Sequence, residues 1–232
     1  MARPVCAIVG IGPGNGAALA RRFAADHRIA LLSRSADFAT GLAGEIGDAK
    51  AYPCDASDVA SIELAFDQVV GDLGNVDTLV YNAGSGSWGT VEDITPAQFE
   101  ASWRVNALGL LAASQRVIPA MKKKGSGNIV VIGATASRRG AARTTAFAPA
   151  KAAQRSLCEA MAKHVWPLGI HVSLIVIDGV VDLPRTRQAM SDKPDEFFVR
   201  SDDVAATAQW LAHQPRSAWS FEVEARPFGE RW

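Results

Sequence analysis

Short runs rich in Val, Ile and Leu alternate along this chain with longer stretches of amphipathic period. The first run, VCAIVGI (Val5–Ile11), has the length and branching of a buried strand, and the Ala-rich GAALARRFAAD behind it has helical spacing. IALLSR closes a second strand at Arg34, and KAYPCD a third at Asp55. SDVASIELAFDQVVGDL predicts a helix, and VDTLVYNAG a strand running into a loop. TPAQFEASWRVNALGLLAASQRVIPAMKKK predicts one long helix or two short ones, with Thr95 as N-cap and Pro96 in the first helical position. GNIVVIGA is a strand, PAKAAQRSLCEAMAKHV a helix ending near Pro167, and IHVSLIVI a strand. SDDVAATAQWLAH reads as a capped helix and WSFEVEAR as a last strand.

Strands that are apolar throughout, rather than alternating, are buried on both faces, so the pattern predicts an α/β fold with a mostly parallel sheet between two helix layers. With 232 residues, 48% of them hydrophobic, the chain has material for one well-buried domain spanning 1–232. The stretch 182–200, DLPRTRQAMSDKPDEFFVR, is the longest without period. It follows the C-terminal end of a strand, where open α/β sheets bind ligands, and reads either as a lid over a substrate or as a surface excursion.

Composition narrows the partners. Lys plus Arg and Asp plus Glu number 24 each, for a net charge of zero, so neither a nucleic-acid track nor an anionic membrane surface is expected. The Lys122–Lys124 run reads as a helix C-terminus favoured by the dipole. Cys6, Cys54 and Cys158 are scattered and the four histidines do not cluster, which argues against a metal site and suits a reducing compartment. The longest clean apolar run, Val172–Ile177, is far short of the ~20 residues a membrane span needs, and MARPVCAIVG lacks a signal-peptide core, so a cytoplasmic protein is expected.

The candidate chemistry starts at VGIGPGNGAALA, between the first strand and first helix. Glycines there let a backbone approach a pyrophosphate at a helix N-terminus. The GxGxxG spacing fails at Asn15, while GxxxGxG fits Gly10, Gly14 and Gly16. The second strand ends in SRS rather than in a carboxylate that would hold a ribose 2′-hydroxyl. Ser33 and Arg34 there suit a 2′-phosphate, so NADP(H) is favoured over NAD(H).

With that turn, CDASD at Cys54–Asp58, NAG at Asn82–Gly84, VNALG at Val105–Gly109 and Lys151 all in order, the chain resembles the short-chain dehydrogenases/reductases over nearly its whole length. The resemblance implies a Rossmann-type, doubly wound, seven-stranded parallel sheet, usually in a homodimer or homotetramer, and a small-molecule substrate. By residue it implies Gly10, Gly14, Asn15 and Gly16 at the pyrophosphate, Asp55 at the adenine amino group, and Asn82, Ala83 and Gly84 beside the cofactor ribose. Asn106 would hold a helix kink and an ordered water, Lys151 the nicotinamide ribose, and Gly179 the turn after the sixth strand.

The catalytic pair of that family is missing. Its Tyr precedes its Lys by four positions, which is Phe147 here, and its Ser falls on Ala134. Its Pro-Gly is Asp178–Gly179, the Thr that touches the carboxamide is Leu183, and the tail reads RPFGERW, as in a subset of family-like proteins. Hydride transfer to a carbonyl builds charge on oxygen, and neither Phe nor Ala has a proton to give. Three readings follow. A displaced donor could act, with Thr135, Ser137, Thr144, Thr145 or a water on Asn106 and Lys151 as candidates; the persistence of Asn106, Lys151 and the cofactor apparatus favours this. The protein could instead bind NADP(H) without turnover, as a sensor or partner-binding protein. Or Ala134 and Phe147 could floor an apolar pocket for other chemistry. Arg138 and Arg139 read as a solvated loop, and Trp88 as a residue that packs or lines the pocket.

Overall fold

The computed structural model describes residues 3–230. The first two positions, which open the MARPVCAIVG stretch, and the last two, which hold the final Trp of RPFGERW, lie outside the described residues. Seven strands form one sheet: β1 (Val5–Val9), β2 (Arg28–Ser33), β3 (Ala49–Pro53), β4 (Val76–Tyr81), β5 (Gly127–Ala134), β6 (Ile170–Ile177) and, near the end, Glu222–Ala225. The order across the sheet is β3-β2-β1-β4-β5-β6 and then Glu222–Ala225, with every pair parallel. This is the expected doubly wound arrangement, and its direction of winding reverses between β1 and β4.

Pleating explains the two cores. Val5, Ala7 and Val9 face one side with α3 (Val59–Leu73), α5 (Gly109–Lys124) and α6 (Phe147–Val165). Cys6 and Ile8 face the other with α1 (Asn15–Phe23), α2 (Ala36–Ile46) and, after β6, the helix Ser201–Ala212. The central strands β1 and β6 are buried at every position, whereas edge strand β3 is largely solvated. No described helix is long and apolar enough to cross a membrane.

The long predicted helix is a helix with a flaw. Its start, α4 (Pro96–Trp103), carries the expected cap: Gln98 N donates to Thr95 Oγ1 at 3.3 Å and Thr95 N donates to Gln98 Oε1 at 2.9 Å. One π-helical turn, Arg104–Leu108, then joins α4 to α5 and contains Asn106, the residue at which the resemblance implies a helix kink. Between β6 and the last strand lie β7 (Val180–Val181), α7 (Pro184–Ala189), β8 (Phe198–Val199), α8 (Ser201–Ala212) and β9 (Glu222–Ala225). The aperiodic 182–200 stretch is thus ordered by a small β7–β8 ladder and by Arg187, which reaches Asp182 at 2.7 Å and Asp195 at 2.5 Å. Two expectations need correction. The side-chain cap expected on α8 is not made, because the helix begins one residue earlier on Arg200 and Ser201 becomes its first helical residue. The last strand pairs only over Glu222–Ala225, since it meets β6 only from Leu174 to Ile177.

Gly10 ends β1 at φ +98°, and a Cβ there would lie 2.6 Å from the Ala83 Cα. Gly10→Ala is therefore expected to cost about 2–3 kcal/mol in urea unfolding, from backbone strain plus collision. An unchanged midpoint would contradict this packing of the turn on β4.

Candidate functional site

The glycine turn lies at the carboxyl end of β1, at the winding reversal, which is where this architecture leaves a crevice. Gly10 N and Ile11 N donate to Leu32 O at 2.9 and 3.1 Å, and Asn82 Nδ2 donates to Gly10 O at 2.7 Å. Asn82 and Ala83 thereby fasten the turn to β4. Gly14 has φ +155°, and the Leu183 side chain occupies the space that a side chain at this position would fill. The 182–200 segment therefore covers the turn through Leu183. Two buried oxygens beside it, Asn15 Oδ1 and Ser201 Oγ, have no hydrogen-bond partner. A glycine-rich turn at the N-terminus of α1, with unpartnered polar oxygens from Asn15 and Ser201 beside it, suits a diphosphate once the Leu183 side chain moves aside.

At the end of β2 the Ser33 hydroxyl donates to Ser35 O at 2.7 Å, which leaves Arg34 as the exposed cation of the SRS stretch. The Asp55 carboxylate accepts from Ser57 N at 2.8 Å and Ser57 Oγ at 2.7 Å. Those bonds, helped by the Arg34 charge, hold it below the usual carboxylate range.

Lys151 is buried on the first turns of α6. Its Nζ donates to Ile132 O at 3.1 Å and to Gln154 Oε1 at 2.9 Å. Burial pushes this ammonium down to about 8, opposed only weakly by the nearby Cys158. Asn106 is wholly buried: its Nδ2 donates to Ser85 O at 2.6 Å and Ser102 O at 2.8 Å, while its Oδ1 has no partner. A methyl group built on Gly84 would lie 3.6 Å from both Lys151 Nζ and Asn106 Oδ1. The fold has thus brought three of the expected residues, from the loop after β4, the π turn and α6, around one small polar niche.

Ala134 closes β5 opposite Ile177, and Phe147 opens α6. The Phe147 ring is enclosed by Gly86, whose Cβ would lie 2.7 Å from Cδ2, and by the Trp88 ring with centroids 5.2 Å apart. Lys151 Nζ stands 5.9 Å from its centroid. Trp88, read as packing or lining the pocket, packs on the Phe147 ring and keeps most of its surface exposed. Of the loop hydroxyls, Thr135 donates to the Asp178 carboxylate and Thr144 donates to Ala141 O at 2.9 Å. Ser137 Oγ is buried without a partner. Neither tyrosine of the chain is available in place of Phe147. Tyr81 donates to Val105 O at 2.5 Å and Tyr52 lies on edge strand β3, and burial drives both phenols upward.

Sequence reading missed the charges that flank this site. Asp178, where the resemblance expects Pro, is buried and binds Thr135 and Arg226. Arg226 also pairs with Glu224 at 2.8 Å. Arg138 is exposed on its loop as expected, and it also pairs with Glu222 at 2.7 Å and with Glu224, because β9 brings two carboxylates beside the loop. Arg139 stays largely exposed. The DG and RP dipeptides were visible in the sequence, but their meeting depends on β9 lying against β6.

The Lys151 shift gives a pH signature. Its folded-state value lies below its ordinary one, so between about 8 and 10.5 the unfolded chain binds the extra proton and stability rises with pH. Wild type is expected to gain stability relative to Lys151→Met across that window in urea titrations. A difference that stays flat with pH would contradict a buried, depressed ammonium.

Comparison with known proteins places this geometry. The family model described as short chain dehydrogenase matches residues 4–194. The chain is 30% identical to an uncharacterized oxidoreductase of Mycobacterium bovis, over 97% of this chain and 67% of that protein. It is 32% identical to human 17-beta-hydroxysteroid dehydrogenase type 1, over 92% of this chain and 68% of that one, and 31% identical to the 7alpha-hydroxysteroid dehydrogenase of Escherichia coli, over 92% and 89%. The crystal structure of a metagenomic short-chain oxidoreductase in complex with NADP superposes with a TM-score of 0.84 at 26% identity, covering 98% of each chain. The seven-stranded sheet, the glycine turn at its winding reversal and these matches agree: the chain belongs to the short-chain dehydrogenase family.

Proposed function

We propose that this protein is an NADP(H)-binding oxidoreductase for a small carbonyl or alcohol substrate, working through a proton donor other than a tyrosine hydroxyl. The observation that carries the reading is the niche over Gly84: Lys151 and Asn106 keep a convergent, buried geometry although Ala134 and Phe147 can donate nothing. Gly10, Gly14, Asn15 and Gly16 would hold the diphosphate, Arg34 with Ser33 and Asp55 the adenosine end, Asn82, Ala83 and Gly84 the ribose side, and Gly179 the turn beside the nicotinamide. NADP is the ligand of the similar solved structure, and the exposed Arg34 suits its extra phosphate. When bound, NADPH supplies the hydride.

The chain's own residues then manage the proton. The substrate oxygen, gaining the electron pair of its C=O bond, takes a proton from the Lys151 ammonium, and solvent reprotonates the amine. A Lys held at about 8 is matched to this role near neutral pH. Ser137, with its buried free hydroxyl, is a second hydrogen-bond donor to that oxygen, and Thr135 is held by Asp178 at the rim. Segment 182–200 acts as the lid, since Leu183 rests on Gly14. One observation favours a second reading, a cofactor-binding sensor or partner-binding protein without turnover: Phe147 fills the tyrosine position against Gly86 and Trp88.

The working particle is a cytoplasmic homodimer or homotetramer. Phe99 and Trp103 on α4 and Leu111 on α5 expose apolar surface for that contact. Light scattering is expected to give two or four times the mass of one chain, and a monomer at micromolar concentration would remove the claim.

The reaction is tested by NADPH oxidation against a panel of carbonyl compounds, with wild type beside Ala134→Ser/Phe147→Tyr. Turnover by wild type, lost by at least about 100-fold in Lys151→Met, is the expected result. Turnover by the double variant alone would leave the cofactor site sound and make the second reading correct.

A further inference from the structure

We propose that Gln154 is a positioning residue for Lys151: with the Ile132 carbonyl it takes two of the three Nζ protons and leaves the third to the niche over Gly84. Gln154 is 0% exposed, and a buried amide must satisfy both of its ends. Its Oε1 accepts from Lys151 Nζ at 2.9 Å and its Nε2 donates to the Asn106 main-chain oxygen at 3.0 Å. That oxygen lies in the π turn, whose altered ladder makes carbonyls available to side chains. The amide therefore ties together the two elements that carry the Gly84 niche, α6 and the π turn.

The consequence is directional. As an ammonium, Lys151 has one N–H beyond those given to Ile132 and Gln154; as an amine, it has a lone pair in that same place. The remaining position is therefore the one that gains and loses the proton. Gly84 keeps the niche clear of side-chain atoms, and the partnerless Asn106 Oδ1 borders it. Among the described residues no carboxylate pairs with Nζ. The titratable group that bears on it is Cys158 on its own helix, a thiol that burial pushes up to about 12 and so keeps neutral while Lys151 titrates. Neutral acceptors alone hold the charge, so replacing one of them must move its acidity.

The inference rests on the proposed role of Lys151 but is tested without catalysis. Lysine side chains are labelled with ¹³C at Cε, the Lys151 signal is assigned by its loss in Lys151→Met, and its pH titration is followed in wild type, Gln154→Glu and Gln154→Leu. A carboxylate in place of the amide is expected to raise the titration by at least about one unit, and an apolar side chain to lower it. Gln154→Met serves in place of the Leu variant if that one does not fold. Titrations that agree within about 0.3 units across folded variants, below a resolvable neighbour effect, would overturn the assignment. NADPH binding by wild type is measured in parallel. Its absence alongside a moved titration would sink the functional reading and spare Gln154, whereas binding with an unmoved titration would do the reverse.

Discussion

A cation with no anion beside it governs this site. Lys151 is buried on α6 and is held by a strand carbonyl and a side-chain amide rather than by a carboxylate. An unpaired buried ammonium is costly, and the fold offsets that cost by crowding neutral acceptors around it and by lowering its proton affinity. The π turn in the α4–α5 helix belongs to the same arrangement, because its Asn106 carbonyl accepts the Gln154 amide bond. A fold under selection for stability alone would place a Leu or Met at 151. Packing alone does not account for a Lys here, beside Asn106 Oδ1 and Gly84.

The glycine-turn crevice and the corner at Ala134 and Phe147 are built from separable parts. The crevice depends on backbone: Gly10 against Ala83, Gly14 under Leu183 and the Asn82 amide on Gly10 O. The corner depends on side chains at 134 and 147, and these can change without disturbing the sheet. Phe147 fits because Gly86 allows a ring to lie flat against the loop and Trp88 covers it. The tail adds a third part. Arg226, Glu224 and Glu222 on and after β9 bind Asp178, Arg138 and Arg155, so the loop after β5 is braced from the sheet edge.

Much of this was legible in the chain. Strands such as IHVSLIVI, apolar at every position, can be buried only between two helix layers, and the layers are there. Thr95 and Pro96 announced the start of α4 because capping is chemistry between near neighbours. Ala134 and Phe147 could be counted from Lys151 because the spacing is fixed by one helix turn and one loop. What the sequence hid depends on long-range approach. Arg138 meets Glu222 and Glu224 only because β9 docks in parallel on β6. Gln154 looked like any polar residue of an amphipathic helix, three positions after Lys151, until the π turn was seen against it. The α8 cap failed for a smaller reason: Arg200, not Ser201, holds the extended position from which a cap acts.

The central claim is that the nucleotide site is intact where the tyrosine–serine pair is gone. Titrating the wild-type protein with NADPH and with NADH in a calorimeter tests it most directly. Saturable binding of one NADPH per chain, at least about tenfold tighter than NADH through the Arg34 contact to the 2′-phosphate, is the result this account predicts. No binding at millimolar nucleotide, or NADH bound more tightly, would contradict it.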